Sequence, residues 1–194
     1  MSGRALTEGE IKLAKPIFKD SIDYSIVRVH DEKYIFFQPG NSGMTPNGEI
    51  HVDGIYSADY SGESPQRQAF FIHEMTHVWQ YQNGILTAGV IGSAILEIIG
   101  RLGDYDSAYP YVLDSAKDLT DYNLEQQASI VEDYFRITKL GLLPRRAQLP
   151  YSRVCTPNPP GTPTRQLYEI VLRNFLQDPA YGHKRYQRVC APGR

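Results

Sequence analysis

The stretch FIHEMTHVWQ, residues 71 to 80, constrains this chain more tightly than any other part of it. His73 and His77 are four positions apart, so they lie on one face only if the segment is helical. On a helix both imidazoles can aim a ring nitrogen at one ion about 2.0–2.1 Å away, with Glu74 rotated just enough to meet a water on that ion. The flanks agree with a helix. Ser64 and Pro65 supply an N-cap and a first helical residue, and Asn83 and Gly84 tolerate the left-handed backbone that closes one. Phe70, Phe71, Val78 and Trp79 give the segment apolar surface to bury. With only 5 histidines in 194 residues, such a pair between proper helix signals is a poor candidate for coincidence.

The chemistry expected of this spacing is hydrolysis. A zinc ion lowers the pKa of a bound water toward about 7, and Glu74 beside it can take the proton and later hand it to a leaving amine. A catalytic zinc takes three protein ligands and leaves the fourth position to water. The metzincin extension needs glycine and histidine where this chain has Gln80 and Asn83, so that class is excluded. His30, His51 and His183 stand apart from one another in sequence and are weak candidates. A glutamate on a later helix is the other standard solution. Glu125 is the best candidate, in the first turn of a helix predicted over 123–138, with Asp121 and Glu132 as alternatives. Glu132, seven residues on from Glu125, shares its face and can orient a histidine from outside the ligand set. The competing reading of each acid is a solvated helix face or a favourable charge at a helix N-terminus.

Among 14 tyrosines, Tyr109 and Tyr111 fall between the two predicted ligand helices, a position from which an oxyanion donor could come, although buried packing tyrosines are commoner. The strand Glu49, Ile50, His51, Val52 precedes the motif helix and is expected to be an edge that receives the substrate as an added strand.

The remaining elements predict an α+β fold, mostly helical, with a small antiparallel sheet before the HExxH helix. Thr7 and Glu10 form a capping-box pattern that starts a helix, which Pro16 should kink or end. Residues 23–30 and 33–38, rich in β-branched and aromatic side chains, read as two strands of a hairpin. Asn123 with Gln126 three later opens the second long helix, and Gly141 stops it. Helical spacing returns over 165–177 after the proline-rich connection at 156–164, and the tail from Asp178 reads as irregular.

Length and composition fit one domain over 1–194 with an ordinary core. A net charge of −2 offers no basic field to nucleic acid or anionic lipid. The most apolar stretch, 85–100, is shorter than a bilayer span of about 20 residues and contains Glu97, so a buried helix explains it better than a membrane span. The N-terminus lacks the apolar run of a secretory signal peptide, so export would need another carrier. Cys155 and Cys190 are compatible with a disulfide or with free thiols.

Several blocks together, RALTEGEIKLAKPIF, IDYSIVRVH, MTPNGEIHV, FIHEMTHVWQYQ and NLEQQASIVEDYF, resemble the zinc metallopeptidase effector domains at the C-termini of VgrG spike and Rhs proteins of bacterial type VI secretion systems. The likeness runs from about Arg4 to Phe135. It implies a zincin-like, gluzincin-type fold with one zinc ion held by His73, His77 and Glu125, and Glu74 as general base. It further implies an antibacterial or anti-host toxin carried by the VgrG or Rhs apparatus, acting on protein or peptide in the target-cell periplasm and countered by an immunity protein. A disulfide between Cys155 and Cys190 would suit that compartment. Two rivals remain at this level: a non-catalytic effector binding module with a structural or vestigial metal site, and a zinc amidase acting on peptidoglycan peptides.

Overall fold

The structure is a computed structural model that describes residues 3–36, 38, 40–86, 109–148 and 164–182. Helices and a small sheet alternate in the order β1 (Arg4–Ala5), α1 (Glu8–Phe18), β2 (Arg28–His30), β3 (Ser42–Met44), β4 (Ile50–Asp53), α2 (Pro65–Gln82), α3 (Leu124–Lys139), α4 (Arg165–Val171) and α5 (Arg173–Gln177). Single 3-10 turns at Tyr60–Gly62 and Leu119–Asp121 lead into α2 and α3. The predicted helix over 85–100, the proline-rich connection apart from Thr164, His183 and both cysteines lie outside the described residues, in whole or nearly so.

The two capping boxes form as expected. The Thr7 hydroxyl accepts from the Glu10 amide and the Asn123 side chain from the Gln126 amide, while the glutamate and glutamine reach back to the cap amides. Glu10 does more than cap. Its carboxylate, fully buried, accepts from Arg4 Nη1 and Nη2 at 2.8 and 2.7 Å and from the Tyr60 amide at 3.0 Å. That bidentate pair fastens β1 to α1 and to the turn before α2. Pro16 does not end α1, which continues to Phe18.

The sheet is mixed, in the order β1-β2-β4-β3, and this corrects two expectations. The hairpin over 23–38 does not form. Among the described residues of that segment only Arg28–His30 is a strand, pairing antiparallel with β1 and parallel with β4. Local β propensity was real, but the partners that satisfied it are distant in sequence. The second correction concerns the strand expected at 49–52. As Ile50–Asp53 it lies between β2 and β3, so both its sides are paired and it cannot accept another strand. The edge next to it is β3.

The core sits between the sheet and the helices. Val29, Ile50 and Val52 of the sheet are at most 1% exposed and belong to one apolar cluster with Phe71, Ile72, Met75 and Trp79 of α2. Helices α2 and α3 pack along each other, and Ile130, Val131 and Phe135 close the far side. The segment predicted as one helix over 165–177 bends at Leu172 into α4 and α5. Phe175 of α5 meets the Trp79 ring edge-on at 5.0 Å. The start of the tail is docked rather than loose, because Trp79 Nε1 donates to the Pro179 carbonyl at 2.8 Å.

Candidate metal centre

Helix α2 is buried through its whole middle, from Phe71 to Gln80, which is unusual for a stretch containing two histidines and a glutamate. Buried polar groups of this kind need partners, and α3 supplies them. Glu125 Oε2 lies 3.3 Å from His73 Nε2 and 3.3 Å from His77 Nε2. Donors bound tetrahedrally at about 2.0–2.1 Å stand about 3.3–3.4 Å apart, so both histidine–Glu125 separations match those around a bound metal, and all three donors lie within 4.8 Å of one another. The three residues form one of two His/Glu groups, among the described residues, whose donor atoms could share an ion.

The outer nitrogens of both rings face acceptors, His77 in a hydrogen bond and His73 at ion-pair distance. His73 Nδ1 faces Glu132 Oε2 at 3.2 Å, and Glu132 is 5% exposed. His77 Nδ1 lies 2.8 Å from Gln80 Oε1. The orientation of Gln80 follows from its other contacts: its amide nitrogen donates to the Leu124 carbonyl and to Gln127 Oε1, both at 3.0 Å. Its oxygen is therefore left to accept from His77 Nδ1–H, which leaves Nε2 as the nitrogen that faces Glu125 and is free to bind an ion once it gives up its proton. In sequence, Gln80 marks only the absence of the metzincin glycine. Its position three residues after His77 was the available signal, since i and i+3 share a helix face.

Burial opposes a charge on His73, but hydrogen bonds to Glu125 and Glu132 outweigh it and raise its pKa to about 10. His77 is raised against the same burial penalty, chiefly by the Glu125 charge. Glu125 and Glu132 are both held below the ordinary carboxylate range: burial acts the other way, and the neighbouring histidines prevail, the His77 charge foremost for Glu125 and the His73 contact for Glu132. A cation belongs in this pocket. With no metal its place is taken by protons on the imidazoles, and these donors fit a divalent ion that displaces them.

Glu74 stands on the sheet side of α2, 4% exposed, with its Oε2 accepting from the Thr45 hydroxyl at 2.7 Å. A Cβ on Gly43 would lie 2.6 Å from Glu74 Oε1. The edge strand β3 therefore runs directly against this carboxylate, and any side chain at position 43 would have to displace it or the tip of the Phe70 ring. Thr45 and Gly43 were not anticipated from the sequence, because nothing local announces a contact across some 30 positions.

The two tyrosines separate. The Tyr109 ring lies 5.8 Å from the His73 ring, with the Arg146 guanidinium 4.7 Å from its own centroid. Tyr111 is 2% exposed, and its hydroxyl lies 2.7 Å from Asp133 Oδ2 and 2.6 Å from the Tyr168 hydroxyl. Tyr111 is thus a core polar anchor, and the expected oxyanion role is withdrawn from it. Asp121, considered as a ligand, instead caps its own turn by accepting from the Asp118 amide. His30 and His51 lie in the sheet and contribute nothing to this centre, but they are neighbours rather than isolated residues.

No established family model matches the chain. Its sequence is 50% identical over 140 residues to the type VI secretion system spike protein VgrG2b of Pseudomonas aeruginosa, an alignment covering 69% of this chain and 13% of that much longer protein. The solved effector domain of Pseudomonas aeruginosa VgrG2b is 49% identical, with a TM-score of 0.59 over 72% of this chain and 77% of the domain. Identity at that level, sustained over most of the domain in both sequence and fold, means that this chain belongs to the family of the VgrG2b effector domain.

Proposed function

We propose that this chain is a zinc-dependent hydrolase of peptide bonds with a zincin-like fold, acting as a type VI secretion effector. The observation that carries the reading is the convergence of His73, His77 and Glu125 with 3.3 Å between donors while Glu74 is held beside them by Thr45. A zinc ion bound by the three would supply a Lewis acid that acidifies water and polarises a carbonyl. The protein's own residues do the rest. Glu74, fixed by the Thr45 hydroxyl and the Gly43 backbone, accepts a proton from the attacking water and passes it to the departing amine. Glu132 and Gln80 hold the two rings with Nε2 directed inward. Tyr109, beside His73, is the tyrosine positioned to approach a developing oxyanion. An extended substrate segment would pair with β3, the sheet edge that abuts Glu74, in place of the strand first expected.

Membership in the VgrG2b effector family supports delivery by a VgrG spike; on this proposal the chain acts on protein or peptide in the target-cell periplasm and is countered by a cognate immunity protein. Among the described residues no helix is long and apolar enough to cross a membrane. The test is Glu74→Gln, assayed for zinc content, for cleavage of a denatured protein mixture and of purified sacculi, and for toxicity when directed to the periplasm. Retained zinc with cleavage and toxicity both lost is the expected result. Undiminished toxicity would instead favour a binding module, and cleavage of sacculi alone an amidase.

A further inference from the structure

The sheet carries a second group of metal-ligating side chains that the hydrolytic reading does not use. In the parallel pairing of β2 with β4, His30 is in register with His51, so the pleat sends both side chains to the same face. Their rings stack at 4.3 Å between centroids with only 4° between planes, and because an imidazole binds a metal in its own plane, one ring has to turn about its side-chain torsions for the two to share an ion. Glu49, just before β4, places its Oε2 2.9 Å from His30 Nε2. One donor atom from each of the three lies within 4.8 Å of the others.

Several features make this more than a chance cluster. His51 is 8% exposed, yet neither of its ring nitrogens has a hydrogen-bond partner. A buried imidazole with nothing to bond is costly, of order 1–3 kcal/mol for each lost partner, and a native fold rarely tolerates it without a use. The site is also enclosed. The Tyr34 ring stands edge-on to His51 at 5.1 Å, and Gly3 passes so close to His30 that a Cβ would lie 2.7 Å from its ring. Glu49, with a side chain 39% exposed, leaves an opening to solvent.

We infer that His30, His51 and Glu49 form a second divalent transition-metal site, distinct from the His73–His77–Glu125 centre. Two imidazoles and one carboxylate suit zinc, or copper and nickel in their divalent states, and are too few and too nitrogen-rich for calcium or magnesium. The two centres lie on opposite faces of the sheet. Gly43, which abuts Glu74, is paired with Val52, whereas His51 is paired with Met44, and neighbours along a strand point to opposite sides. A metal here bridges β2 to β4 and so braces the support of β3, the edge strand against Glu74. The bridge adds what three-residue strands lack, a strong cross-strand tie.

The inference does not depend on the hydrolytic reading, and the experiment separates the two. The protein is stripped with a chelator, dialysed, and titrated with Zn2+ alone by calorimetry, with bound metal counted by elemental analysis. Two equivalents per chain are expected. Glu49→Gln at the surface and His51→Gln in the sheet should each leave one, and a His73→Ala/His77→Ala chain should also leave one. In that last background Zn2+ should still raise the Tm, and adding Glu49→Gln should abolish the rise. Glu49 is largely solvated, so its variant remains informative if His51→Gln does not fold. One equivalent in the wild-type chain, lost entirely with His73 and His77, would overturn the second site while leaving the first intact. A second equivalent that survives Glu49→Gln with unchanged affinity would overturn it as well.

Discussion

Gln80 is the residue whose role is most exposed to refutation. It is fully buried, and its one side chain accepts from His77 Nδ1–H while donating to the Leu124 carbonyl and to Gln127. Replacing it with methionine keeps the length and bulk of the side chain but removes both the acceptor and the donors. Loss of an outer partner of a metal-ligating histidine costs about 10–100-fold in metal affinity, or about 1.4–2.8 kcal/mol. The orphaned Leu124 carbonyl and Gln127 oxygen add an unfolding penalty of order 1–3 kcal/mol each, partly offset by burying a thioether in place of an amide. Gln80→Glu is the informative contrast. It keeps an acceptor for His77 but loses the donors, so zinc affinity should stay at or above the wild-type value while Tm falls. Competition against a chromophoric chelator measures the first quantity and thermal unfolding the second. If Gln80→Met binds zinc within twofold of wild type, or if Gln80→Glu weakens binding as much as methionine does, the orienting role assigned to Gln80 is wrong.

Other outcomes follow from the same geometry. His73 has a pKa raised to about 10 in the metal-free pocket, so at pH 7 it holds a proton that a metal must expel; zinc affinity should climb about tenfold per pH unit for each proton displaced, and calorimetry in buffers of different ionisation enthalpy should count those protons. For the metal-free protein the sign is opposite. A raised folded-state pKa contributes stability below the ordinary value of 6.5 that is lost as pH rises through about 10, so its Tm should decline over that interval. Gly43→Ala pushes a methyl group into Glu74 and should reduce cleavage at least tenfold with zinc content unchanged, whereas loss of zinc would mean that the strand shapes the ligand set itself. Tyr111→Phe deprives Asp133 and Tyr168 of a buried partner and should lower stability by about 1–2 kcal/mol while sparing metal binding, which chemical denaturation alongside metal analysis would check.

Short-range chemistry made much of this protein readable in advance. The capping boxes at Thr7 and Asn123, the proline start and glycine stop of α2, and the i, i+4 spacing of His73 and His77 each involve residues within a turn or so of one another, where backbone geometry leaves few alternatives. The seven-residue spacing of Glu125 and Glu132 likewise put both on one face before any partner was known. What spacing could not decide is which distant group each would meet. That Glu125 reaches both Nε2 atoms while Glu132 takes the back of His73 depends on how α3 lies along α2. Sheet pairing shows the same division more sharply. Residues 23–38 had the side chains of strands, but β2 found its neighbours at residues 4–5 and 50–53, and through that parallel pairing His30 came to stack on His51. Helical contacts are encoded locally because hydrogen bonds close within four residues, whereas strand order, the exposed edge and the face a histidine shares are decided only when separate segments are packed together.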